Sequence, residues 1–347
     1  MGSIFKYSGL TTKVRAMRGG LIKREQYAKI AGLGSVGEMV ELLKNTRGYG
    51  DIFKDVEPSD IHRGNMEKLM MCAKYHDYEK LYRFANMRQR RYMRIHFLQY
   101  ETDILKQAIV HAFNHGEAEV VVGFGEILGK YSEIDIKAVC EATNVDDIIE
   151  ASRDTIFFDT LQMVRAFNEP TEFDYGIALD LFFFSYVWKK RKKLFEGDEL
   201  KAVSMNIGTE ADILNIMWIH RTKRYYHLSP EKIYAMIIPV HYRLKKAHIK
   251  KMVEAENEAA FISELSETYY GKLVDKNSFD SGNVGALFEE HLTRCYHKLF
   301  KMDPYSLAAI NAYLNDKEVE IKKLITMAEC IRYQYPIEEI IRDINLN

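Results

Sequence analysis

Apolar residues recur at helical spacing along most of the chain. Two stripes are clearest, and one of them comprises Ile104, Leu105, Ala108, Ile109, Ala112 and Phe113. The other comprises Ile321, Leu324, Ile325, Ala328 and Ile331. Apolar side chains that return every three or four positions lie on one face of an α-helix. Because no segment between the stripes alternates in the manner of a β-strand, the pattern predicts an all-α chain.

Helix-breaking residues follow the apolar stripes. Gly116 comes after the first stripe and Pro336 after the last. Between them, Ser229-Pro230-Glu231 is typical of a helix start, with serine at the N-cap and proline at the first helical position. These residues predict helix boundaries near 116, 230 and 336.

Two short patterns recur three times in register. The pattern E-x-[DE]-I begins at Glu101, Glu210 and Glu318, which are 109 and 108 residues apart. A threonine followed by an aromatic residue precedes each copy, at Thr46 with Tyr49, Thr155 with Phe158, and Thr268 with Tyr269 and Tyr270. The threonines lie 55, 55 and 50 residues before the three glutamates. This shared spacing predicts three versions of one helical unit.

The repeat divides the chain at residues 1–115, 116–225 and 226–347. A chain of three like units can close around an axis with pseudo-three-fold symmetry, or it can stack as a short solenoid. The sequence pattern leaves both arrangements open.

Each E-x-[DE]-I pattern carries two carboxylates, and together they are Glu101, Asp103, Glu210, Asp212, Glu318 and Glu320. Residues two apart on a helix do not face each other. We therefore expect one carboxylate of each pair to point to the packed side of its helix and the other to solvent or a neighbouring unit. Because the pair recurs in each unit, we favour salt bridges that join the units over acid–base catalysis. The basic stretches 88–94 and 189–193 lie nearby in the sequence and could supply the positive charges.

The stretch EVVVGFGEILGKYS, residues 119–132, looks like a strand entering a phosphate-binding loop. Such a loop needs the spacing G-x-x-x-x-G-K-[ST]. Here five residues separate Gly123 from Gly129, and Lys130 is followed by Tyr131. The repeat also aligns this stretch with the segment after the helix start at Ser229. We therefore predict a helix over 119–131, and a nucleotide-dependent enzyme built on Gly123–Lys130 is the least favoured hypothesis.

Composition and charge exclude several other functions. The 49 basic and 50 acidic residues nearly cancel, which argues against a nucleic-acid partner. The longest apolar run, Leu181–Trp188, is far shorter than the roughly 20 residues of a membrane span. His111 and His115 have metal-ligand spacing but lack the glutamate of H-E-x-x-H, so core or interface histidines are favoured. We predict no catalytic residue, cofactor or metal.

Two further features bear on location. The first ten residues, MGSIFKYSGL, contain no apolar stretch typical of a secretion signal, which predicts a cytosolic chain. The basic run Lys189–Lys193 is typical of a solvated helix end, while binding of phosphate or phospholipid head groups is the alternative.

With the repeats established, the chain resembles the C-type subunit of the A/V-type rotary ATPases, a relative of the d-type subunit of eukaryotic V-ATPases. The resemblance rests on Tyr7 followed by TKVRAM, on the L-x-N-T-x-x-Y of Leu43–Tyr49, and on DPYSLAAINAYLNDKEVEIKKLITMAECI at residues 303–331. One departure is Thr12-Lys13, where the family usually has Ala-Arg. Lysine keeps the charge of arginine but lacks its bidentate fork.

The resemblance implies an all-helical funnel of three pseudo-symmetric bundles with no catalytic residues. Such a subunit is present in one copy per complex, sits on the cytoplasmic end of the membrane proteolipid ring and holds the D-type and F-type shaft subunits. It would transmit torque and so couple ATP synthesis or hydrolysis to transport of H⁺ or Na⁺. The alternative is a helical-repeat scaffold that binds another cytosolic protein.

Overall fold

The computed structural model describes residues 2–58, 61, 63–114, 129, 131–273 and 284–344. Within these ranges it contains seventeen α-helices and no β-strand, which confirms the all-α prediction. The first half of the chain holds α1 Gly2–Arg18, α2 Arg24–Ala31, α3 Val36–Lys44, α4 Gly50–Phe53, α5 Arg63–Phe84, α6 Met87–Phe113, α7 Ile136–Glu141, α8 Val145–Ala151 and α9 Phe158–Arg165. The second half holds α10 Glu172–Leu194, α11 Gly197–Arg221, α12 Pro230–Met236, α13 Lys246–Glu254, α14 Glu258–Glu267, α15 Val284–Met302, α16 Ala308–Arg332 and α17 Ile337–Asp343.

Six long helices form the centre of the molecule as three hairpins, α5 with α6, α10 with α11, and α15 with α16. Tyr100 of α6 contacts Tyr75 and Tyr78 of α5 edge to face. Helix α6 then packs on α10, α10 on α11, α11 on α15, and α15 on α16. Because α16 also packs on α5, the series closes on itself instead of stacking as an open solenoid.

The short helices pack at the ends of the long ones. Helices α12–α14 share a hydrophobic cluster with the second half of α11, which includes Ile216 and Phe261. Helices α7–α9 join the large central cluster that contains α6 and α10. Helices α2–α4 come early in the chain, yet Met39 and Leu43 share their cluster with Leu324 of α16. The beginning and the end of the chain therefore build one core, while the division into repeats at 115/116 and 225/226 stays a prediction.

The helix boundaries predicted from sequence are partly confirmed. Helix α6 ends at Phe113, α12 begins at Pro230, and α17 follows Pro336. Ser229 occupies the N-cap position, but its side chain accepts no capping hydrogen bond. The predicted helix over 119–131, apart from Gly129 and Tyr131, lies outside the described residues, as do Gly116 and His115.

Both predicted apolar stripes are buried, with two exceptions. Phe113, the last residue of α6, is 37% exposed, and Ile325 of α16 is partly exposed. The aromatic run Leu181–Trp188 lies within α10, where Phe183 and Phe184 belong to the central cluster. In the described part of the chain, no helix has the length and apolar character needed to cross a membrane.

A core substitution on α10 tests this packing. Leu179 is fully buried, and Leu179→Ala is expected to lower the free energy of unfolding by about 2–5 kcal/mol, because it removes apolar contacts and leaves a cavity. Phe173→Ala, at a position 52% exposed on the same helix, should change it by about 0.5 kcal/mol or less. Urea denaturation measures both, and equal losses would contradict the assigned face of α10.

Candidate functional site

The six carboxylates singled out by the repeat lie on the long helices α6, α11 and α16 and divide into two sets. Glu101, Asp212 and Glu320 are buried and are called the clasp carboxylates below. Asp103, Glu210 and Glu318 are less buried and are called the inner carboxylates. Each predicted pair therefore places one member in each set, on different sides of its helix.

Glu101 of α6 holds the segment that leads into α7. Its Oε1 accepts hydrogen bonds from the backbone N–H of Glu133 at 2.5 Å and from Ser132 Oγ at 2.7 Å. The next residue, Ile134, is buried two positions before α7 begins. A buried carboxylate is stable only when its oxygens receive such hydrogen bonds, so this contact fixes where the short helices start.

Asp212 of α11 holds the segment that leads into α13. Its carboxylate accepts backbone hydrogen bonds from Tyr242 at 3.2 Å, Arg243 at 2.6 Å and Leu244 at 2.9 Å, and one from the Tyr270 hydroxyl at 2.8 Å. Gly208, one turn earlier, permits this approach, because an added Cβ there would lie 2.5 Å from Tyr242 Cβ. Burial raises the pKa of Asp212, and the four hydrogen bonds oppose that rise.

Glu320 of α16 holds the segment that leads into α2. It accepts hydrogen bonds from the backbone N–H of Ile22 at 2.5 Å, from the Tyr49 hydroxyl at 2.6 Å and from Lys317 Nζ at 3.0 Å. Lys317 Nζ also lies 3.6 Å from the centre of the Tyr49 ring. In this third clasp the donors Ile22 and Tyr49 come from the beginning of the chain and the carboxylate from its end.

The threonine–aromatic markers contribute to the same contacts. Tyr49 and Tyr270 both donate their hydroxyls to a clasp carboxylate. In the middle copy the fully buried ring is Phe157, which has no hydroxyl, and Phe158 is only partly buried. Glu101 takes its side-chain hydrogen bond from Ser132 instead. The sequence marker therefore contains the side-chain donor in two of the three copies and not in the middle one.

The ion-pair partners expected from sequence differ from those observed. Of the basic stretches, Arg88 pairs with Glu199, and Arg191 donates to Ser204 Oγ at 3.0 Å. Among the described residues, the lysines that form ion pairs with the six carboxylates are instead Lys317, Lys322 and Lys74, the last at 3.3 Å from Glu318. Sequence reasoning missed Lys74 and Lys317, although Lys317 stands three residues before Glu320 and its burial makes it part of the clasp.

Two of the inner carboxylates face a central cavity between α6, α11, α15 and α16. Glu210 and Glu318 line this cavity of about 240 Å³, together with His96 and a hydrogen-bonded network of buried polar side chains. That network joins Tyr92, Asn311, Asn206 and Tyr296. His96 Nε2 lies 3.0 Å from Asn311 Oδ1. Polar side chains thus line the centre of the helix ring and satisfy one another.

Burial raises the pKa of two of the three inner carboxylates. It raises the pKa of Glu210 to about 7, opposed by a hydrogen bond from Gln99 at 3.0 Å. It raises the pKa of Asp103 to about 6, opposed by the nearby charge of Lys106. Glu318 differs, because Lys74 lowers its pKa. Near neutral pH the cavity therefore holds carboxyl groups in both charge states.

The six carboxylates make structural contacts within the helix bundle. Each clasp carboxylate is occupied by hydrogen bonds, and the inner carboxylates stand on three separate helices. In the ranges that the structure covers, no three His, Cys, Asp or Glu side chains are grouped so as to hold a metal ion. His111, one of the two histidines considered from sequence, is partly buried on α6 and has an interaction partner.

Exposed apolar side chains stand where the long helices of each hairpin meet. We call this surface the tip face, and it comprises Phe5 of α1, Phe84 at the end of α5, Met87 at the start of α6, Leu194 at the end of α10 and Met302 at the end of α15. A cavity of about 770 Å³ lies beside it, bordered by α1, α6, α11 and α15. Large exposed apolar patches are typical of interaction sites, so the tip face is a candidate for one.

The basic run Lys189–Lys193 flanks the tip face at the end of α10. Its four lysines are exposed, whereas Arg191 lies over the Trp188 ring at 3.3 Å. The tip face is therefore bordered by positive charge on the side of the second hairpin.

Nearly the whole chain matches one known protein family. The family model of the ATP synthase (C/AC39) subunit matches residues 10–342. A protein of Methanosphaera stadtmanae, named as the C subunit of an A-type ATP synthase, is 25% identical over 340 residues, covering 94% of this chain and 84% of the relative. Proteins of the same name from Methanothermobacter thermautotrophicus and Thermococcus kodakarensis are 24% and 22% identical, covering 95% and 94% of this chain and 85% and 86% of the relatives.

Removal of a clasp carboxylate is expected to destabilise the fold. Asp212→Ala leaves three backbone N–H groups and the Tyr270 hydroxyl without their acceptor, and should lower the free energy of unfolding by about 3–5 kcal/mol. Asp198→Ala removes an exposed carboxylate from the same helix and should cost less than about 1 kcal/mol. Urea denaturation measures the loss, and amide exchange at Tyr242–Leu244 should accelerate only in Asp212→Ala. Unchanged protection there would contradict the clasp.

The central cavity should make stability depend on pH. The pKa of Glu210 is higher in the folded chain than in the unfolded chain, so the folded state gains stability as pH falls from above 7 toward about 4.3. Glu210→Gln keeps an acceptor for Gln99 but removes this charge. It should be more stable than the wild type at pH 8, with the advantage fading by pH 5.

The control for this pH experiment is Glu267→Gln, an exposed change on α14. Urea denaturation at both pH values should show the wild-type pH dependence in this variant. If Glu210→Gln shows no greater advantage at pH 8 than at pH 5, the assigned environment of Glu210 is wrong.

Proposed function

Because the chain belongs to the ATP synthase (C/AC39) subunit family, we propose that it is the central-stalk subunit of an A/V-type rotary ATPase. In this role it joins the central shaft to the membrane proteolipid ring and transmits torque between them. It catalyses no step itself. ATP turnover elsewhere in the complex is thereby coupled to transport of H⁺ or Na⁺ through the ring.

The observation that carries this proposal is the set of three clasps on a closed series of long helices. A part that transmits torque must resist deformation about its axis. Close-packed interiors transmit strain, and buried hydrogen-bonded carboxylates fix the short helices to the long ones at three places. The chain is suited to carry load as one body, which is what an adapter between two rotating parts requires.

The proposed partners are the D-type and F-type shaft subunits and the proteolipid ring. The chain would lie at the cytoplasmic face of the membrane, in one copy per complex, held there by protein contacts. The tip face is the surface that we assign to one of these partners, because its apolar side chains stand at the turns of all three hairpins.

The decisive experiment is to tag the chain in its host, extract the membranes with mild detergent and identify the proteins that co-purify. Recovery of shaft subunits, a small proteolipid and ATPase activity would support the rotor adapter. Recovery of the chain away from membranes with none of these would overturn it. That result would leave the alternative, a helical-repeat scaffold for another cytosolic protein.

A double substitution on the tip face tests the assigned surface. Phe84→Ser with Met302→Ser should reduce co-purified ring or shaft subunits about tenfold or more, because burial of these side chains at an interface contributes binding free energy. Both residues are exposed, so thermal unfolding of the isolated chain should be unchanged. The control is Met163→Ser with Phe167→Ser, two exposed apolar positions, one on α9 and one two residues after its end. Equal recovery of all partners with both double variants would show that the tip face is not the docking surface.

A further inference from the structure

A second, smaller pocket lies between α1, α5, α16 and the loops that precede α2 and α4. Its volume is about 120 Å³. We call it the cationic pocket, because its charged lining residues are Lys13, Arg47, Lys80 and Lys317 with the single carboxylate Asp77. The pocket brings together three segments that stood out in the sequence, those containing TKVRAM, NTRGY and AAINAYLNDK.

The carboxylates around the pocket are already engaged. Asp77 accepts a hydrogen bond from the Tyr313 hydroxyl and lies 3.8 Å from Lys317 Nζ and 3.7 Å from Lys80 Nζ. Glu320 binds Lys317 at 3.0 Å, and Asp51 lies 3.9 Å from Lys80. Lys317 and Lys80 are thus balanced by protein carboxylates.

Lys13 and Arg47 are not balanced in this way. Neither forms an ion pair with a described residue, and Lys13 has only the distant ring of Phe84, 5.9 Å from its Nζ. Two cationic side chains at one small pocket, with the neighbouring lysines already neutralised, leave a local excess of positive charge. Such an excess attracts an anion, and hydrogen bonds between charged groups are about twice as strong as neutral ones.

The backbone gives the pocket a fixed shape. Gly20 and Gly48 face each other closely, and a Cβ added to Gly48 would lie 2.7 Å from the Gly20 carbonyl oxygen and 3.7 Å from Lys317 Nζ. Glycine at position 48 therefore permits the close approach of these two loops, which fixes their positions beside the buried ammonium group of Lys317. A preformed space costs a ligand less ordering entropy than one that must be created.

We propose that the cationic pocket binds a small oxyanion, represented by inorganic phosphate, through Lys13 and Arg47. Its volume is below the roughly 300–1,000 Å³ of sites that enclose drug-sized ligands, so it does not enclose a nucleoside. The same phosphate chemistry has two sources, the free ion and the terminal phosphate of a nucleotide. The proposal is independent of the rotor role, because it concerns the isolated chain.

The test is titration calorimetry of the full chain with phosphate at constant ionic strength, with chloride as the balancing anion. Lys13→Met and Arg47→Met should each weaken phosphate binding about tenfold, because each removes one cation while keeping much of the side-chain volume. Lys29→Met, at an exposed lysine of α2 outside the pocket, should leave it unchanged. Lys13→Arg should tighten binding several-fold, because the guanidinium can hold two oxygens at once.

Absence of saturable phosphate binding to the wild type would overturn the proposal, and so would equal effects of Lys13→Met and Lys29→Met. Thermal unfolding of each variant without phosphate checks that the fold is kept. Tighter binding by Lys13→Arg could not be explained by loss of folding.

A parallel titration with ADP distinguishes the two sources of the phosphate group. If ADP binds more tightly than phosphate and Arg47→Met weakens its binding, the ligand is the nucleotide phosphate. If ADP binds more weakly than phosphate, the ligand is the free ion.

Discussion

The structure depends on one recurring constraint, a carboxylate buried on a long helix that must be satisfied by hydrogen bonds from a distant segment. An unsatisfied buried charge is so costly that the donor segment has one acceptable position. Glu101, Asp212 and Glu320 each impose this condition on the chain just before a group of short helices. The short helices are thereby placed relative to the long ones by polar contacts, and the apolar clusters then fill the space between them.

The inner carboxylate of each pair has different surroundings from the clasp carboxylate, because residues two apart lie on different sides of a helix. The order of the two roles is not constant. In the first copy the clasp residue comes first, as Glu101 before Asp103, whereas in the later copies it comes second, as in Glu210 before Asp212. The repeated pattern therefore identifies the correct turn of each helix, but the position of the clasp residue within it shifts by two. The sequence alone does not show this shift.

Local features were predictable from sequence and distant contacts were not. Apolar spacing identified the buried faces of α6 and α16, and Pro230 identified a helix start, because these depend on residues within a few turns of one another. The partner of Glu320 is Ile22, 298 residues away. The sequence around neither residue predicts this contact. The closure of the six long helices and the burial of Lys317 follow from such pairings, so they became visible only in three dimensions.

The union of the two chain ends in one core has a consequence for synthesis on the ribosome. Helices α2–α4 are translated long before α16, yet Met39 and Leu43 share their hydrophobic cluster with Leu324 of α16. Contacts between residues so far apart in sequence form slowly, and apolar surface exposed in the meantime promotes aggregation. Part of this apolar surface therefore stays uncovered until α16 has been translated, and a nascent chain that stalls before α16 lacks the last part of the core that α2–α4 share with it.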